Sequence, residues 1–398
     1  TDGGGLNLLD KKTGAFRTFR HQEGNRSSIA GDYVLSVLQD SDGDLWVGTF
    51  GNGLTRWNRK KNTFHHYPGL SPDPSGLQGA PNIWFITEDR EKNLWFGHQE
   101  FGLSMYNRHT RLFTHFSPAD RGPYGDHIQF IFHDRSGRRW IGSSNNGLKL
   151  LHPDETHFER FKYISDVNSI SSNNIQCMYE DNQGNFWIGT ADGLNFLDRS
   201  RNEFTAYHTK DGLPSDFIAG ILPDDSGNLW ISTHNGLSRF DPKKRIFRNF
   251  GISDGLQSSE FTTPHCKARS GALYFGGLSG FNEFFPANIR DIPYDPPIVL
   301  TDFLIFNKRV PVSDAEAESP LGSHISETGN VTLAYDQSVF TFEFASLNYV
   351  PEEKKRYMYR LEGFDETWNE VGTLRTATYT NLDPGEYVFR VRGLRSDG

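Results

Sequence analysis

Residues 181–198 read DNQGNFWIGTADGLNFLD: a turn, a β-type segment around a tryptophan, a second turn with a glycine, and another β-type segment. The pattern recurs as DSDGDLWVGTFGNGLTRWN from residue 40, DREKNLWFGHQEFGLSMYN from residue 89, DRSGRRWIGSSNNGLKLLH from residue 134, DDSGNLWISTHNGLSRFD from residue 224 and, more weakly, RSGALYFGGLSGFNEF from residue 269. The stretch is therefore one copy of a repeat.

The spacing of the repeat predicts a β-propeller. Its aromatic anchors are Trp46, Trp95, Trp140, Trp187, Trp230 and Tyr274, at steps of 49, 45, 47, 43 and 44 residues. Repeats of about 40 to 50 residues with strand-like content are typical of four-stranded propeller blades. Glycine turns followed by Leu or Phe occur seven times, at Gly5, Gly53, Gly102, Gly147, Gly193, Gly236 and Gly280. We therefore expect seven blades.

The first blade is predicted to be incomplete. The opening TDGGGLNLLDKKTGAFRTF aligns with the second half of a repeat, TADGLNFLDRSRNEFTAY, so its two inner strands are not expected in this chain. We expect the chain to be a fragment of a longer protein.

Within one repeat, each residue type that recurs from repeat to repeat has a structural reason. Asp181 to Gly184 suits a hairpin turn, since Asp bonds backbone amides and Gly tolerates positive φ. Gly189 lacks a side chain and would let the adjacent sheet approach, with Trp187 as a wedge between blades. The outer strand carries F-x-x-[FY], as in Phe204 and Tyr207, and these rings are expected to pack the core.

A second domain is predicted after the repeats stop at Phe285. The proline-rich ANIRDIPYDPP precedes short strand-like segments such as PIVLTDFLIF, VTLAYDQSVFTFEFASLNY, YMYRLEGF and EYVFRVRGL. Their alternation and Gly turns favour an immunoglobulin-like β-sandwich. The prediction is an all-β chain, with a seven-bladed β-propeller at 1–293 and a sandwich, truncated at its C-terminus, at 294–398.

Composition excludes several classes. The 398 residues carry a formal net charge of -9, and Lys and Arg are not clustered among aromatics, so nucleic acid is not expected as a partner. No apolar run approaches the ~20 residues that span a bilayer. The two cysteines, Cys177 and Cys266, fall in blades that are not adjacent, so no disulfide is expected between them.

The repeats, followed by RYMYRLEGFDETWN and NLDPGEYVFRVR, resemble the sensor region of bacterial hybrid two-component regulators of the Bacteroides type. In that family, regulator-propeller repeats precede a triple-tyrosine (Y_Y_Y) domain, and the resemblance covers essentially the whole chain. It implies a periplasmic sensor of an inner-membrane protein, which recognises oligosaccharides from polysaccharide breakdown. The sandwich would relay the signal, without binding ligand itself, to a histidine kinase that controls transcription.

The resemblance also implies partners. It implies a homodimer formed through the sandwich and through an N-terminal propeller that is absent from this chain. The membrane would be reached only through a helix downstream of the chain, which is likewise absent.

Ligand contacts are expected at one mouth of the propeller channel, where the loops after each second strand meet the loops before each first strand. The residues predicted to bind ligand are Tyr33, Asn82, Trp84, His98, Gln99, Glu100, His127, Asn146, Asn174, Asp192, His234 and Glu260. Amides and carboxylates can bond sugar hydroxyls beside stacking rings. These loops are nearly free of Arg and Lys, which favours a neutral oligosaccharide. The alternative for each Asn or Asp is that it only satisfies turn geometry.

Trp84 is the strongest single candidate because it departs from the repeat pattern. It would either stack on a sugar ring or simply plug the channel, and the sequence leaves both open.

Two other function classes remain as alternatives. His98, Glu100, His127, His234 and Glu260 could supply a general acid and base, as in propeller polysaccharide lyases, but no motif spacing requires it. The propeller could also bind another protein without contacting glycan. Because there is no phosphate loop, nucleophile elbow or metal-ligand spacing, we expect no catalytic residue, no metal and no cofactor.

Overall fold

The structure is a computed structural model. It describes residues 3–69, 76–77, 81–116, 126–152, 158–289, 297–313, 319–347 and 356–394. The chain divides into two compact units, Thr1–Pro286 and Ala287–Gly398. The predicted boundary between residues 293 and 294 lies outside the described residues.

The first unit consists of small antiparallel sheets that follow one another along the chain. Strands β1 and β2 form a hairpin, at Leu6–Leu9 and Phe16–Phe19. The next two sheets are β3 to β6, at Val34–Gln39, Leu45–Thr49, Leu54–Asn58 and Thr63–Tyr67, and β7 to β10, at Ile83–Glu88, Leu94–His98, Leu103–Asn107 and Leu112–Phe116. Each of these is a four-stranded meander.

Three more meanders and a shorter sheet follow. They are β11 to β14, at Ile128–His133, Arg139–Ser143, Leu148–Leu151 and Phe158–Phe161; β15 to β18, at Ile175–Glu180, Phe186–Thr190, Gly193–Asp198 and Glu203–Tyr207; and β19 to β22, at Ile218–Pro223, Leu229–Thr233, Gly236–Asp241 and Ile246–Phe250. The last sheet has β23 to β25, at Phe261–Lys267, Leu273–Gly277 and Gly280–Phe284. Short 3-10 helices lie at Thr209–Asp211, Ile252–Asp254 and Pro286–Asn288.

The sheets are arranged as propeller blades. First strands of successive sheets pack side by side, in the order β3, β7, β11, β15, β19 and β23. The β1–β2 hairpin contacts the neighbouring blade through Phe19 and Trp57, whose ring centroids are 4.8 Å apart. At its other side Lys11 Nζ lies 3.0 Å from Glu283 Oε1 and also bonds Tyr274, on the last blade. The described part of the unit is thus a seven-bladed propeller whose first blade has only its two outer strands, as predicted.

In four blades the Asp of the repeat anchors the tryptophan as well as the turn. Its Oδ1 accepts the backbone N–H four residues on, for example Asn228 N to Asp224 at 2.9 Å. Its Oδ2 accepts the indole N–H of the tryptophan in four blades, Trp46 with Asp40 at 2.7 Å, Trp95 with Asp89 at 2.8 Å, and Trp140 with Asp134 and Trp230 with Asp224 both at 3.1 Å. These rings and Trp187 are buried, which confirms their predicted place in the core.

The glycine after each tryptophan permits close blade packing. A Cβ on Gly189 would lie 2.5 Å from Cys177 Sγ and 2.7 Å from Ile218 of the next blade. At Gly97 the same atom would lie 2.6 Å from Ile128, again in the next blade. A side chain at either position would force the blades apart, which confirms the predicted role.

The second unit is a sandwich of two antiparallel sheets. One has the order β27-β26-β28-β31, with these strands at Lys308–Arg309, Ile298–Ile305, Val339–Ser346 and Thr376–Thr380. The other has the order β30-β29-β32, at Asn369–Gly372, Arg356–Glu362 and Val388–Leu394. Phe303, Phe344 and Tyr357 are buried between them. Among the described residues, none of the helices combines the length and the apolar character needed to cross a bilayer.

Candidate functional site

A β-bulge opens the first strand of most blades. The pairing register shifts between Val34 and Ser36, Ile83 and Phe85, Ile128 and Phe130, Ile175 and Cys177, and Ile218 and Gly220. The extra residues are Leu35, Trp84, Gln129, Gln176 and Ala219. A bulged residue stays outside the ladder and its side chain is re-aimed. The bulges therefore place one variable side chain per blade at the same end of the inner strands.

Trp84 contacts the equivalent residue of the next blade. Its indole Nε1 donates a hydrogen bond to Gln129 Oε1 at 3.1 Å. Its ring meets the His127 ring edge to face, with centroids 4.5 Å apart and planes at 88°. Trp84, Gln129 and His127 are all half-buried, so each keeps exposed surface.

Asn82 joins two loops beside Trp84. Its Oδ1 accepts the Gly51 N–H at 2.7 Å, and its Nδ2 donates to Gln99 Oε1 at 3.3 Å. The Gln99 backbone N–H in turn bonds the Asn82 carbonyl at 3.4 Å. Asn82 therefore holds the loops in place, while Gln99 and the exposed Glu100 border the same region. We call Asn82, Trp84, Gln99, Glu100, His127 and Gln129 the tryptophan cluster.

The electrostatics of the tryptophan cluster centre on His127. Burial lowers the pKa of its imidazole, although the nearby Glu100 carboxylate acts in the opposite direction. Its Nε2 is buried and has no hydrogen-bond partner among the described residues. Since a neutral imidazole can donate or accept at this nitrogen, the cluster contains a buried polar atom that is not satisfied.

His98 lies in the interior and not at the mouth. It is fully buried, its Nε2 is 2.7 Å from Ser104 Oγ, and Ser104 Oγ is 2.7 Å from His115 Nδ1. Burial lowers the pKa of His98 to about 3. Four other blades carry Ser or Thr here, and the hydroxyl bonds a turn carbonyl, as Thr49 does with Gly53 at 2.8 Å. The position is structural, which the repeat alignment could have indicated.

Two predicted amides serve loop architecture. Asn146 Nδ2 donates to Asp126 Oδ1 at 2.7 Å, and Asp126 also pairs with the buried Lys149. Asn174 Oδ1 accepts from Gln176 Nε2 at 2.5 Å. Asn146 and Asn174 are half-buried, so both residues combine a structural bond with some exposed surface.

The remaining predicted residues are spread around the mouth. Tyr33 is exposed, and its carbonyl accepts the Phe50 N–H at 2.9 Å. His234 is exposed and stacks on Phe217, with centroids 3.7 Å apart and planes at 13°. Glu260 is half-buried, and its carbonyl accepts the Leu278 N–H at 3.3 Å.

Asp192 lies near His208 and Asp216. The His208 Nδ1 is 3.8 Å from a carboxylate oxygen of each. The structure therefore forms two separate groups of polar residues. The tryptophan cluster lies in the loops around β7 to β11, and Asp192, His208 and Asp216 lie in the loops between β16 and β19.

The sequence reasoning missed three residues. Gln129 and Gln176 occupy the position of Trp84 in the following blades, and His208 follows an outer strand. Aligning the repeats on Trp84 would have found both glutamines. No sequence signal pointed to His208, because its neighbours in space are 16 and 8 residues away along the chain.

In three blades, a polar residue two positions after the turn glycine fixes a mouth loop. Thr55 Oγ1 accepts the Ala30 N–H at 2.9 Å, Asn195 Oδ1 accepts the Ser171 N–H at 2.9 Å, and Asn282 Oδ1 accepts the Gln257 N–H at 3.1 Å. Each anchor is a polar side chain next to apolar residues of its strand. The blade framework thus positions the loops that carry the candidate site.

Comparison with known families identifies both modules. Residues 28–51, 169–192 and 212–235 match the two component regulator propeller family, Reg_prop. Residues 348–398 match the Y_Y_Y domain.

Comparison with known proteins gives relatives of the whole chain. The extracellular domain of a hybrid two component system from B. thetaiotaomicron is 26% identical, with a TM-score of 0.80 over 100% of this chain and 51% of that one. Histidine kinase P4 of Formosa agariphila is 26% identical over 98% of this chain and 25% of the kinase. The chain thus spans about half the length of the solved extracellular domain and about a quarter of the length of Histidine kinase P4.

A more distant likeness concerns the fold alone. The virginiamycin B lyase of Staphylococcus aureus is 15% identical, with a TM-score of 0.52 over 69% of this chain and 85% of the lyase.

Proposed function

This chain is a propeller and Y_Y_Y sensor region of the hybrid two-component type, and on that premise we propose that it binds a neutral oligosaccharide at the propeller mouth. The site is the tryptophan cluster. The chain would bind its ligand without chemically changing it. Its place would be the periplasm, as part of an inner-membrane protein whose solved relative is an extracellular domain.

The observation that carries this proposal is the presentation of Trp84. The bulge re-aims its side chain, and its indole N–H is satisfied by Gln129 at 3.1 Å, so the ring is held in one orientation. A ring fixed before binding loses little conformational entropy when a ligand stacks on it. The alternative is that Trp84 plugs the channel; its side chain is only half-buried, so part of the ring is left for a ligand to contact.

The surrounding groups suit a ligand with many hydroxyls. Gln99 and Gln129 provide half-buried amides, Glu100 provides an exposed carboxylate, and His127 provides a half-buried ring. Such groups can donate to and accept from hydroxyls at defined positions. The nearby cation Lys149 is buried and already paired with Asp126, so it is not offered to an anionic sugar. A neutral oligosaccharide fits this balance.

The relay would use the second unit. The sandwich core contains tightly packed aromatics such as Phe344 and Tyr357, with centroids 5.4 Å apart, and none of the mouth loops. We propose that this unit transmits the signal to a histidine kinase, because one relative of the chain is named Histidine kinase P4. Dimerisation through this unit belongs to the same proposal.

A glycan array followed by calorimetry tests the binding proposal. We expect an array of neutral oligosaccharides to yield a ligand, and Trp84→Ala and Glu100→Gln to weaken it. An aromatic contact is commonly worth about 1 kcal/mol, so the affinity should fall about fivefold or more for Trp84→Ala. Tyr335→Ala, which alters an aromatic residue that is 98% exposed in the other unit, serves as the matched control.

Three outcomes would contradict the proposal. Unchanged affinity in folded Trp84→Ala and Glu100→Gln proteins would place the glycan site elsewhere. Absence of any glycan ligand, together with capture of a defined protein partner that Trp84→Ala abolishes, would favour the interaction function. Product release from a bound oligosaccharide would instead indicate catalysis.

A further inference from the structure

A second constellation of polar side chains lies at the mouth, outside the tryptophan cluster. Asp192 follows β16, while His208 and Asp216 flank the short helix Thr209–Asp211 before β19. One ligand-type atom from each of the three residues lies within 4.8 Å of the other two, and His208 Nδ1 is 3.8 Å from an oxygen of each carboxylate. From this geometry we propose a binding site for a Zn²⁺-type divalent cation.

The donor set matches that class of cation. An imidazole nitrogen with two carboxylates suits Zn²⁺ better than Ca²⁺, which prefers oxygen ligands only. Zn²⁺ ligands lie about 2 Å from the ion, so ligand atoms on one ion are about 3 to 4 Å apart. The 3.8 Å separations need only small side-chain movements to reach this spacing.

The charge balance also favours a cation. In the described part of the chain, neither Asp192 nor Asp216 pairs with a Lys or an Arg. The carboxylates of Asp192 and Asp216 have oxygens within 4.8 Å of each other, and two negative charges this close repel each other unless a positive charge lies between them. The side chains are 60%, 25% and 37% exposed for Asp192, His208 and Asp216, so a bound ion would keep open positions for water or for a ligand oxygen.

The next blade shows that the fold does not need this constellation. Its corresponding residues are Asn235, Gly251 and Ser259, and its turns form the same bonds. Asn235 N bonds Thr233 Oγ1 at 3.0 Å, as Asp192 N bonds Thr190 Oγ1 at 3.0 Å. Gly251 N bonds Asp254 at 2.7 Å, as His208 N bonds Asp211 at 2.8 Å.

One bond does give Asp216 a structural share. Its Oδ1 accepts the Thr209 N–H at 2.7 Å. Asp192 and His208 have no comparable side-chain bond in the described residues, so their combination is explained by a ligand and not by the turn. The test therefore concentrates on these two residues.

Zn²⁺ calorimetry on the tag-free chain tests the site. We expect the wild-type chain to bind one Zn²⁺. Asp192→Asn and His208→Asn should each lower the Zn²⁺ affinity by about tenfold or more. The decrease should be absent in His234→Ala, which removes an exposed mouth histidine outside the constellation.

A transplant into the next blade makes the test independent of destabilised variants. The triple variant Asn235→Asp, Gly251→His and Ser259→Asp recreates the constellation, and a Cβ on Gly251 meets nothing within 4 Å. We expect it to bind one Zn²⁺ more than wild type. Identical Zn²⁺ isotherms for wild type, Asp192→Asn and His208→Asn would overturn the site, and so would Ca²⁺ binding in the absence of Zn²⁺ binding.

Discussion

At the scale of single residues, the repeat motif joins two functions in one aspartate. In Asp134, Oδ1 accepts the Arg138 backbone N–H at 2.9 Å and thereby closes the turn, while Oδ2 accepts the Trp140 indole N–H at 3.1 Å. The turn and the core ring are thus fixed by the same carboxylate. In Trp187 the indole has no such bond among the described residues, and the ring packs against Phe196 and Phe240, with centroids 4.6 Å and 5.4 Å away.

Truncation of Trp187 should destabilise the propeller strongly. The side chain is 4% exposed and lies between two blades, so Trp187→Ala leaves a cavity in the core. We expect the free energy of unfolding to fall by about 3 to 5 kcal/mol, measured by chemical denaturation. Trp57→Ala, at a partly exposed outer-strand tryptophan, should cost clearly less. An unchanged denaturation midpoint for Trp187→Ala would contradict the packing role.

Asp134 should make stability depend on pH below about 4. Burial by itself raises the pKa of this carboxyl, but hydrogen bonds from Ser136, Trp140 and Arg138 outweigh burial and hold the pKa at about 2. Since the folded pKa is below the ordinary 3.8, the stabilisation is complete above pH 4 and is lost as the pH falls towards about 2. It amounts to about 2 kcal/mol.

Comparison with Asp134→Asn measures this contribution. Urea unfolding between pH 6 and pH 2 should show a stability gap between wild type and Asp134→Asn that narrows as the pH falls. Asp225→Asn, at a carboxylate that is 87% exposed, should show a much smaller gap. A gap for Asp134→Asn that stays constant with pH would disprove the assignment.

At the scale of elements, rigid strands position the irregular loops of the mouth. The anchor in β17, Asn195, is fully buried and bonds both Ser171 N at 2.9 Å and Ser171 Oγ at 2.8 Å. Ser171 belongs to the loop between β14 and β15, which has no ladder of its own. The loop conformation thus depends on one side chain of a neighbouring strand.

Removal of this anchor should loosen the loop without unfolding the blade. Asn195→Ala leaves the Ser171 N–H unsatisfied, which we expect to cost about 1 to 3 kcal/mol. Hydrogen exchange should accelerate at residues 162–174 more than in β15 to β18. Asn145→Ala, an exposed amide in another mouth loop, is the control and should leave exchange unchanged. Uniform acceleration across the propeller would show that Asn195 supports the whole blade instead.

At the scale of the whole molecule, the fold was predictable because one physical solution is repeated. The turn aspartates, the core tryptophans and the close-packing glycines recur in register, so blade number and the incomplete first blade followed from the sequence. The candidate site was harder to predict from the sequence. His98 occupies a core position, and Gln129 and Gln176 stand at β-bulges, which an alternating pattern of apolar and polar residues does not reveal.

The bulge found in five of the inner strands has a consequence for how the side chains there can vary. A residue outside the ladder can change without loss of a backbone hydrogen bond, whereas a change at Gly189 or Trp187 disturbs two blades at once. Leu35, Trp84, Gln129, Gln176 and Ala219 already differ in size, aromaticity and polarity on an almost constant framework. If the mouth binds a ligand as proposed, the side chains at the bulges can therefore change one blade at a time while the strand ladder is kept.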